Sequence, residues 1–315
     1  MCPSAITVQI MCGKSVKTDH GISRTYQIKT QLGSGGSGAV YMAWHKRLRK
    51  HVVIKTVKHN SSGTLELRRN EVEALKDIKS MHVPQVFDFL TGVDHSFTIM
   101  EYIDGVSFDK LLYCGRRFTE EQLLKWYSQL SSALGAIHKR NIFHRDIKPA
   151  NIILTIYGDV CLIDFNSALV SGNYTGVVSR SMGYASPEQL EYFKLCKNSY
   201  SNAVKAYSER IETVLKTGDC KTELVVAENT SSCIRFINID WGLSDIYSLG
   251  ATMYHLMTGK RPLVTAGGAF QKFKFCGYSE GLQGVIERSM RKTPSERFSS
   301  AIELSCALYH LMKRR

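Results

Sequence analysis

Residues 142–154 read Ile142-Phe143-His144-Arg145-Asp146-Ile147-Lys148-Pro149-Ala150-Asn151-Ile152-Ile153-Leu154. Two apolar, strand-like runs flank a short loop that carries a carboxylate (Asp146), an ammonium (Lys148) and a carboxamide (Asn151), and Pro149 keeps the segment from continuing as helix. Such a loop can hold three different polar groups against one ligand. A carboxylate can accept the proton of an attacking hydroxyl, an ammonium can face an anionic group in transfer, and a carboxamide oxygen can bind a hard cation such as Mg²⁺.

Just upstream, Thr119 followed by Glu120, Glu121 and Gln122 reads as an N-cap with its capping-box residue. The stripe Leu123, Tyr127, Leu130, Leu134 and Ile137 predicts a long amphipathic helix that delivers the loop. Downstream, Asp159–Ile163 is strand-like and leads into Asp164-Phe165-Asn166. Further on, Leu243–Met257 predicts a strongly apolar helix stopped by Gly259, and Ser299–Arg315 predicts a final one.

Toward the N-terminus the pattern changes to strands. Tyr26, Ile28 and Leu32 fall on one parity, with Lys29 and Gln31 on the other. That strand runs into Gly33-Ser34-Gly35-Gly36-Ser37-Gly38-Ala39-Val40, where glycine lets backbone N–H groups approach phosphate oxygens without Cβ obstruction. A dinucleotide fold would need a helix next, whereas Tyr41–Trp44 looks like a second strand. A third, His51–Val57, sets Lys55 in a β-branched run, where a half-buried ammonium calls for an anionic partner. Residues from about 65 to 79 form a helical stretch with Val72, Leu75 and Ile78 in register. Glu71 beside that stripe is the chosen partner for Lys55, with Glu66 and Glu73 as competitors. Strands at Gln85–Thr91 and Phe97–Tyr102 follow, ending in Met100-Glu101-Tyr102-Ile103-Asp104-Gly105.

In this order the pieces resemble the protein kinase family. Residues 33–40 match G-x-G-x-x-G-x-V. Val52-Val53-Ile54-Lys55 resembles V-A-I-K, with Val53 at the Ala position. Residues 144–151 match H-R-D-L-x-x-x-N except for Ile147, and Asp164-Phe165-Asn166 stands where the family has D-F-G. Ser186-Pro187-Glu188 stands for A-P-E. Lys148-Pro149 matches the serine/threonine branch, and the run Gly183-Tyr184-Ala185-Ser186-Pro187-Glu188-Gln189 looks like bacterial members. The resemblance covers nearly the whole chain from Tyr26.

It implies an α+β bilobal fold. A small, mainly antiparallel β lobe with one key helix (about 25–100) joins a larger, mainly helical lobe (about 106–315) through a hinge at about 101–105. Residues 1–24 are an extension or flexible arm, and about 191–239 is an insertion, with a helical face at Val204, Tyr207, Ile211, Val214 and Leu215 and a strand at Glu223–Ala227. The implied activity is transfer of the ATP γ-phosphoryl group to Ser or Thr hydroxyls of proteins. Asp146, Lys148, Lys55 and Glu71 would be catalytic. Leu32, Gly33, Ser34, Gly35, Gly36, Ser37, Gly38, Val40, Val53, Lys55, Met100, Glu101, Tyr102 and Ile153 would bind ATP. Asn151 and Asp164 would hold Mg²⁺, or Mn²⁺ in its place. Asp245 would bond the backbone of the loop, and Arg297 would pair with Glu188.

Regulation is expected in the hydroxyl-rich segment 164–188. Arg145 could pair with a phosphate on Thr175 or Ser179, Ser181 keeps a hydroxyl where relatives carry threonine, and Asn166 would change how readily the segment switches. Self-association for autophosphorylation in trans goes with this. A pseudokinase, locked at Asn166, is the alternative reading.

Composition agrees. With 43% hydrophobic and 22% charged residues among 315, the chain is globular rather than disordered. The net charge of +13 is spread without a basic block or interleaved aromatics, so nucleic-acid binding is not expected. Nine cysteines at irregular spacing, without a C-x-x-C pair, fit a reducing cytoplasm. No apolar run is long enough to span a membrane.

Overall fold

The computed structural model describes residues 6–9, 15–18, 20–35, 38–58, 69, 72–92, 95–165, 168–170, 181–195, 239–262 and 277–313. A five-stranded antiparallel sheet forms the N-terminal lobe, from β3 (Tyr26–Gly35), β4 (Gly38–His45), β5 (Lys50–Lys58), β6 (Val86–Thr91) and β7 (His95–Glu101) in the order β3-β4-β5-β7-β6. The period of two sorts β5. Val52 and Ile54 enter one cluster with Tyr26, Ala43, Phe97 and Ile99. Lys55 and Val57 face the other side, toward the cleft between the lobes.

The N-terminal arm differs from expectation. It contains a hairpin, β1 (Ile6–Gln9) with β2 (Ser15–Thr18), and a short helix α1 (His20–Thr25). Ile22 of α1 is buried in the outer cluster of the sheet. Four-residue strands and a six-residue helix are too short to leave a period in the sequence, so only packing on the sheet reveals them.

The helix expected at 65–79 is helical at 69 and 72–76 among the described residues and gives way to a turn at 77. Its stripe of Val72, Leu75 and Ile78 is buried as expected. The chain crosses between lobes after β7 and immediately forms β8 (Gly105–Ser107), so the link is shorter than 101–105. β8 pairs with β10 (Ile152–Thr155), which pairs with β11 (Val160–Leu162). The helical expectations at 204–215 and the strand at 223–227 lie outside the described residues.

In the C-terminal lobe α2 (Phe108–Tyr113) precedes α3 (Glu120–His138), whose capping box is complete. Thr119 Oγ1 accepts from Gln122 N–H, and the Gln122 side chain accepts from Thr119 N–H. The stripe of α3 is essentially solvent-free. It packs with α4 (Trp241–Thr258), α5 (Glu280–Ser289) and α6 (Ala301–Lys313) in one cluster that also takes in Val72, Leu75 and Phe165. Gly250 lets α4 and α5 touch, because a Cβ there would lie 2.6 Å from Ser289 Cβ. Gly259, in the left-handed region at φ 68°, ends α4.

Arg297 fixes the lobe's base. Its Nη1 and Nη2 donate to Glu188 Oε1 and Oε2 at 2.6 and 2.9 Å. Its other N–H groups reach the carbonyls of Arg291, Leu243 and Lys292, and the guanidinium faces the Tyr247 ring. With the arginine removed, a half-buried carboxylate and three carbonyls lose their donors. Arg297→Ala is expected to cost about 3–5 kcal/mol in stability, read as a lowered midpoint in urea denaturation.

Candidate active site

The loop of residues 144–151 lies between β9 (Ile142–Phe143) and β10, and its polar groups are locked before any ligand arrives. Asp245 on α4, fully buried, takes the backbone N–H of His144 through Oδ2 and that of Arg145 through Oδ1, both at 2.8 Å. His138 Nε2, at the end of α3, meets Oδ2 at 3.0 Å. This was expected of Asp245. Arg145 occupies the left-handed region at φ 60°, a conformation that costs a non-glycine residue and persists where its surroundings impose it.

His144 is buried with both ring nitrogens engaged. Nε2 lies 3.0 Å from the Ile163 carbonyl and Nδ1 lies 3.3 Å from Asp146 N. Only the neutral ring protonated at Nε2 satisfies both, donating to the carbonyl and accepting the amide N–H. Burial holds the His144 pKa below the ordinary imidazole range, against the opposing pull of Asp245, the Ile163 carbonyl, Asp146 and Asp164.

Asp146 is the centre of a compact polar group. Its Oδ2 takes Lys148 Nζ at 2.7 Å and Asn151 Nδ2 at 3.1 Å, and its Oδ1 takes the Ser181 hydroxyl at 2.6 Å. Lys148 Nζ also reaches Ser181 Oγ at 3.1 Å. The turn at Pro149–Asn151 is one 3-10 turn with Pro149 at its start, so the proline both bars a longer helix and opens this short one.

Across the cleft, Lys55 Nζ stands 3.2 Å from Asp164 Oδ1. Asp164 occupies the left-handed region at φ 66°, which aspartate tolerates. Its neighbour Phe165 turns into the core and stacks edge-on against His144, with ring centroids 4.8 Å apart. Asn166, Glu71, Glu66, Gly36, Ser37, Thr175 and Ser179 lie outside the described residues. Glu73 is bonded to Lys76 on the helix surface.

Two oxygens remain for a cation. Asn151 Nδ2 donates to the Asp146 carbonyl at 2.8 Å as well as to its carboxylate, which fixes the amide orientation and leaves Oδ1 without a hydrogen bond among the described residues. Asp164 Oδ2 is likewise without one. Two hard oxygen donors suit a small cation that keeps waters or phosphate oxygens as its other ligands. The residues therefore fit a small divalent cation.

The expected nucleotide residues fall on the strands that roof and floor this cleft. Leu32, Gly33, Ser34 and Gly35 end β3, and Gly38 and Val40 begin β4. Gly38 is required there, since a Cβ would lie 1.8 Å from the Thr56 carbonyl oxygen. Val40 is opposite Lys55, and Val53 is opposite Met100. Met100 lines an apolar cavity with Lys55, Leu75 and Phe165. Glu101 turns away from the cleft, its carboxylate accepting Gln85 N–H at 3.1 Å, and Tyr102 packs against the His51 ring. Ile153 lies in β10 on the floor.

Arg145 is buried, with its guanidinium 5.1 Å from the Trp241 ring centroid. The motif reading missed a buried chain of hydrogen bonds behind it. Ser186 Oγ meets Ser244 Oγ at 2.8 Å, Ser244 Oγ donates to Gln189 Oε1, and Gln189 Nε2 donates to the Arg145 carbonyl at 2.8 Å. Ser186, the departure from A-P-E, is thus part of the link between the 181–188 turn and the loop.

A two-lobed fold whose cleft gathers a strand lysine, a loop carboxylate and two free oxygen donors defines a nucleotide-dependent phosphotransferase architecture. The model of the protein kinase domain matches residues 26–212, more than half of the sequence, and the chain belongs to that family. It is similar to the serine/threonine-protein kinase PknA of Corynebacterium glutamicum, 26% identical over 91% of this chain and 56% of that protein. PknB of Mycobacterium tuberculosis is 25% identical over 92% of this chain and 43% of its own length. The human serine/threonine-protein kinase Nek5 is 28% identical over 86% of this chain and 34% of its own. The chain thus spans from about a third to little more than half of these relatives.

Because the folded pKa of His144 lies below its unfolded value near 6.5, the unfolded state binds more protons as pH falls. The stability it contributes is full above about pH 6.5 and is lost as pH drops toward the folded pKa. Ring-nitrogen NMR at pH 6 is expected to show a neutral, Nε2-protonated His144. The urea midpoint is expected to fall from pH 7 to 5.5.

Proposed function

We propose that this chain transfers the γ-phosphoryl group of ATP to Ser or Thr hydroxyls of protein substrates. The observation that carries it is the Asp146 carboxylate held at once by Lys148, Asn151 and Ser181, with the Lys55–Asp164 pair across the cleft. Asp146 orients the incoming hydroxyl and accepts its proton. Lys148 offsets the charge that builds on the transferring group, and Lys55 holds the nucleotide phosphates with Glu71 as its expected second partner. Asn151 and Asp164 would hold Mg²⁺, with Mn²⁺ the other candidate, and the cation would supply positive charge to offset that of the phosphates.

The adenine edge faces the backbone at Glu101 and Tyr102. Their side chains are engaged elsewhere, which leaves the main chain to read it. Gly33 through Val40 cover the phosphates. The polar groups at 55, 146, 151 and 164 support catalysis over the pseudokinase reading, which no observation favours.

Autophosphorylation at Thr175 or Ser179, in trans between transiently associated copies, belongs to the same proposal, with Arg145 as the cation expected to pair with the added phosphate. Ser181 is assigned a positioning role through its bond to Asp146. No helix among the described residues is long and apolar enough to cross a membrane. Cys114, Cys161 and Cys306 are free thiols, in keeping with a cytoplasmic setting.

Asp146→Asn is expected to lower kcat by ~10²–10⁴ while ATP binding stays largely intact. Transfer from radiolabelled ATP measures it, and retained turnover would refute the role. Mass spectrometry of active protein is expected to find phosphate on Thr175 or Ser179, and an unmodified segment in fully active protein would exclude that switch.

A further inference from the structure

A surface groove opens beside Lys148, lined by Asp109, Tyr113, Met182, Tyr184, His255 and Arg261 among others. Tyr113 and Met182 are 94% and 51% exposed and offer apolar contact to an extended segment. The groove lining carries two cations, Lys148 and Arg261, and one carboxylate, Asp109. Lys148 is matched by Asp146, whereas the exposed Arg261 makes no ion pair among the described residues. Its guanidinium lies 5.5 Å from the Tyr184 ring centroid. The Tyr184 hydroxyl is in turn fixed to His255 Nδ1 at 2.6 Å.

A second guanidinium, that of Arg117, lies across Gly259 on the groove wall, where a Cβ would come within 1.5 Å of Nη1. Lys110, Arg116 and Lys260 are exposed on the same two segments, 109–118 and 258–262, and Asp109 is the one carboxylate of those segments. A cationic substrate would bring like charges together here, and an anionic one would meet two guanidinium groups that make no ion pair among the described residues and whose planar forks suit carboxylate and phosphate.

We propose that this groove selects protein substrates with an anionic side chain near the hydroxyl to be phosphorylated, a carboxylate or a phosphate already in place, read by Arg261 and Arg117. The proposal rests on the phosphotransfer reading and adds to it the substrate class. Neither arginine touches the reacting atoms, so each acts on specificity.

The test uses the full chain with a matched set of peptides that share one Ser acceptor and carry Glu, phosphoserine, Ala or Arg at the flanking positions. The Glu or phosphoserine peptide is expected to exceed the Arg peptide about tenfold in kcat/KM, equivalent to ~1.4 kcal/mol, and the gap narrows at high salt. The ratio between those two arms tells carboxylate from phosphate recognition. Within the same set, Arg261→Glu is expected to invert the order.

Equal rates, or a preference for arginine, in the wild-type chain overturns the proposal. So does an acidic preference that survives both Arg261→Glu and Arg117→Glu. Transfer to none of the peptides counts against the phosphotransfer reading instead. Fluorescence anisotropy of the labelled peptides on the wild-type and Arg261→Glu chains then decides the charge preference by itself, and equal affinity for the acidic and basic peptides overturns it.

Discussion

A single buried carboxylate, Asp245, sets the shape of the loop that the molecule presents to its ligands. Its two oxygens collect the N–H groups of His144 and Arg145 and the ring of His138. A carboxylate with no solvent access is costly unless each oxygen is paired, and two adjacent N–H groups in a loop are costly unless accepted. Each need answers the other. The bonds hold Arg145 in a left-handed conformation, and the carboxyl group of the next residue, Asp146, lies in the polar cluster with Lys148, Asn151 and Ser181.

The same economy extends across the cleft. His144 is held by α4 through its backbone and by Ile163 through its ring, so the loop that carries Asp146 and the strand end that carries Asp164 are tied by one imidazole. Asp164 then meets Lys55 of the β-sheet. Phe165, against His144, joins the core that holds Val72 and Leu75 of the small lobe. A change at any of these points is felt at the cleft because the groups are close-packed and each donor already has its acceptor.

Much of this was legible from residue order. The five strands of the small lobe, the capping box at Thr119, the stripe of α3, the Gly259 stop and the pairs Asp245 with the loop and Glu188 with Arg297 are local patterns or motif positions. The N-terminal arm was not legible, since Ile22 is a lone apolar residue whose role exists only against the outer face of the sheet. Nor was the Ser186–Ser244–Gln189 chain, whose members are 58 and 55 residues apart and separately look like ordinary polar residues.

What the sequence alone determined is the set of elements and the identity of the reactive groups, because hydrophobic period, caps and short motifs are read over a few neighbouring residues. What only the tertiary structure decided is which groups meet and in what state. The neutral His144, the left-handed turn at Asp164, the Asn151 and Asp164 oxygens that accept no hydrogen bond among the described residues, and the placement of Arg261 against Tyr184 all depend on burial and on partners distant in the chain. Burial and through-space contact have no signature in local order, and that is why these features became visible only once the helices and the sheet had packed.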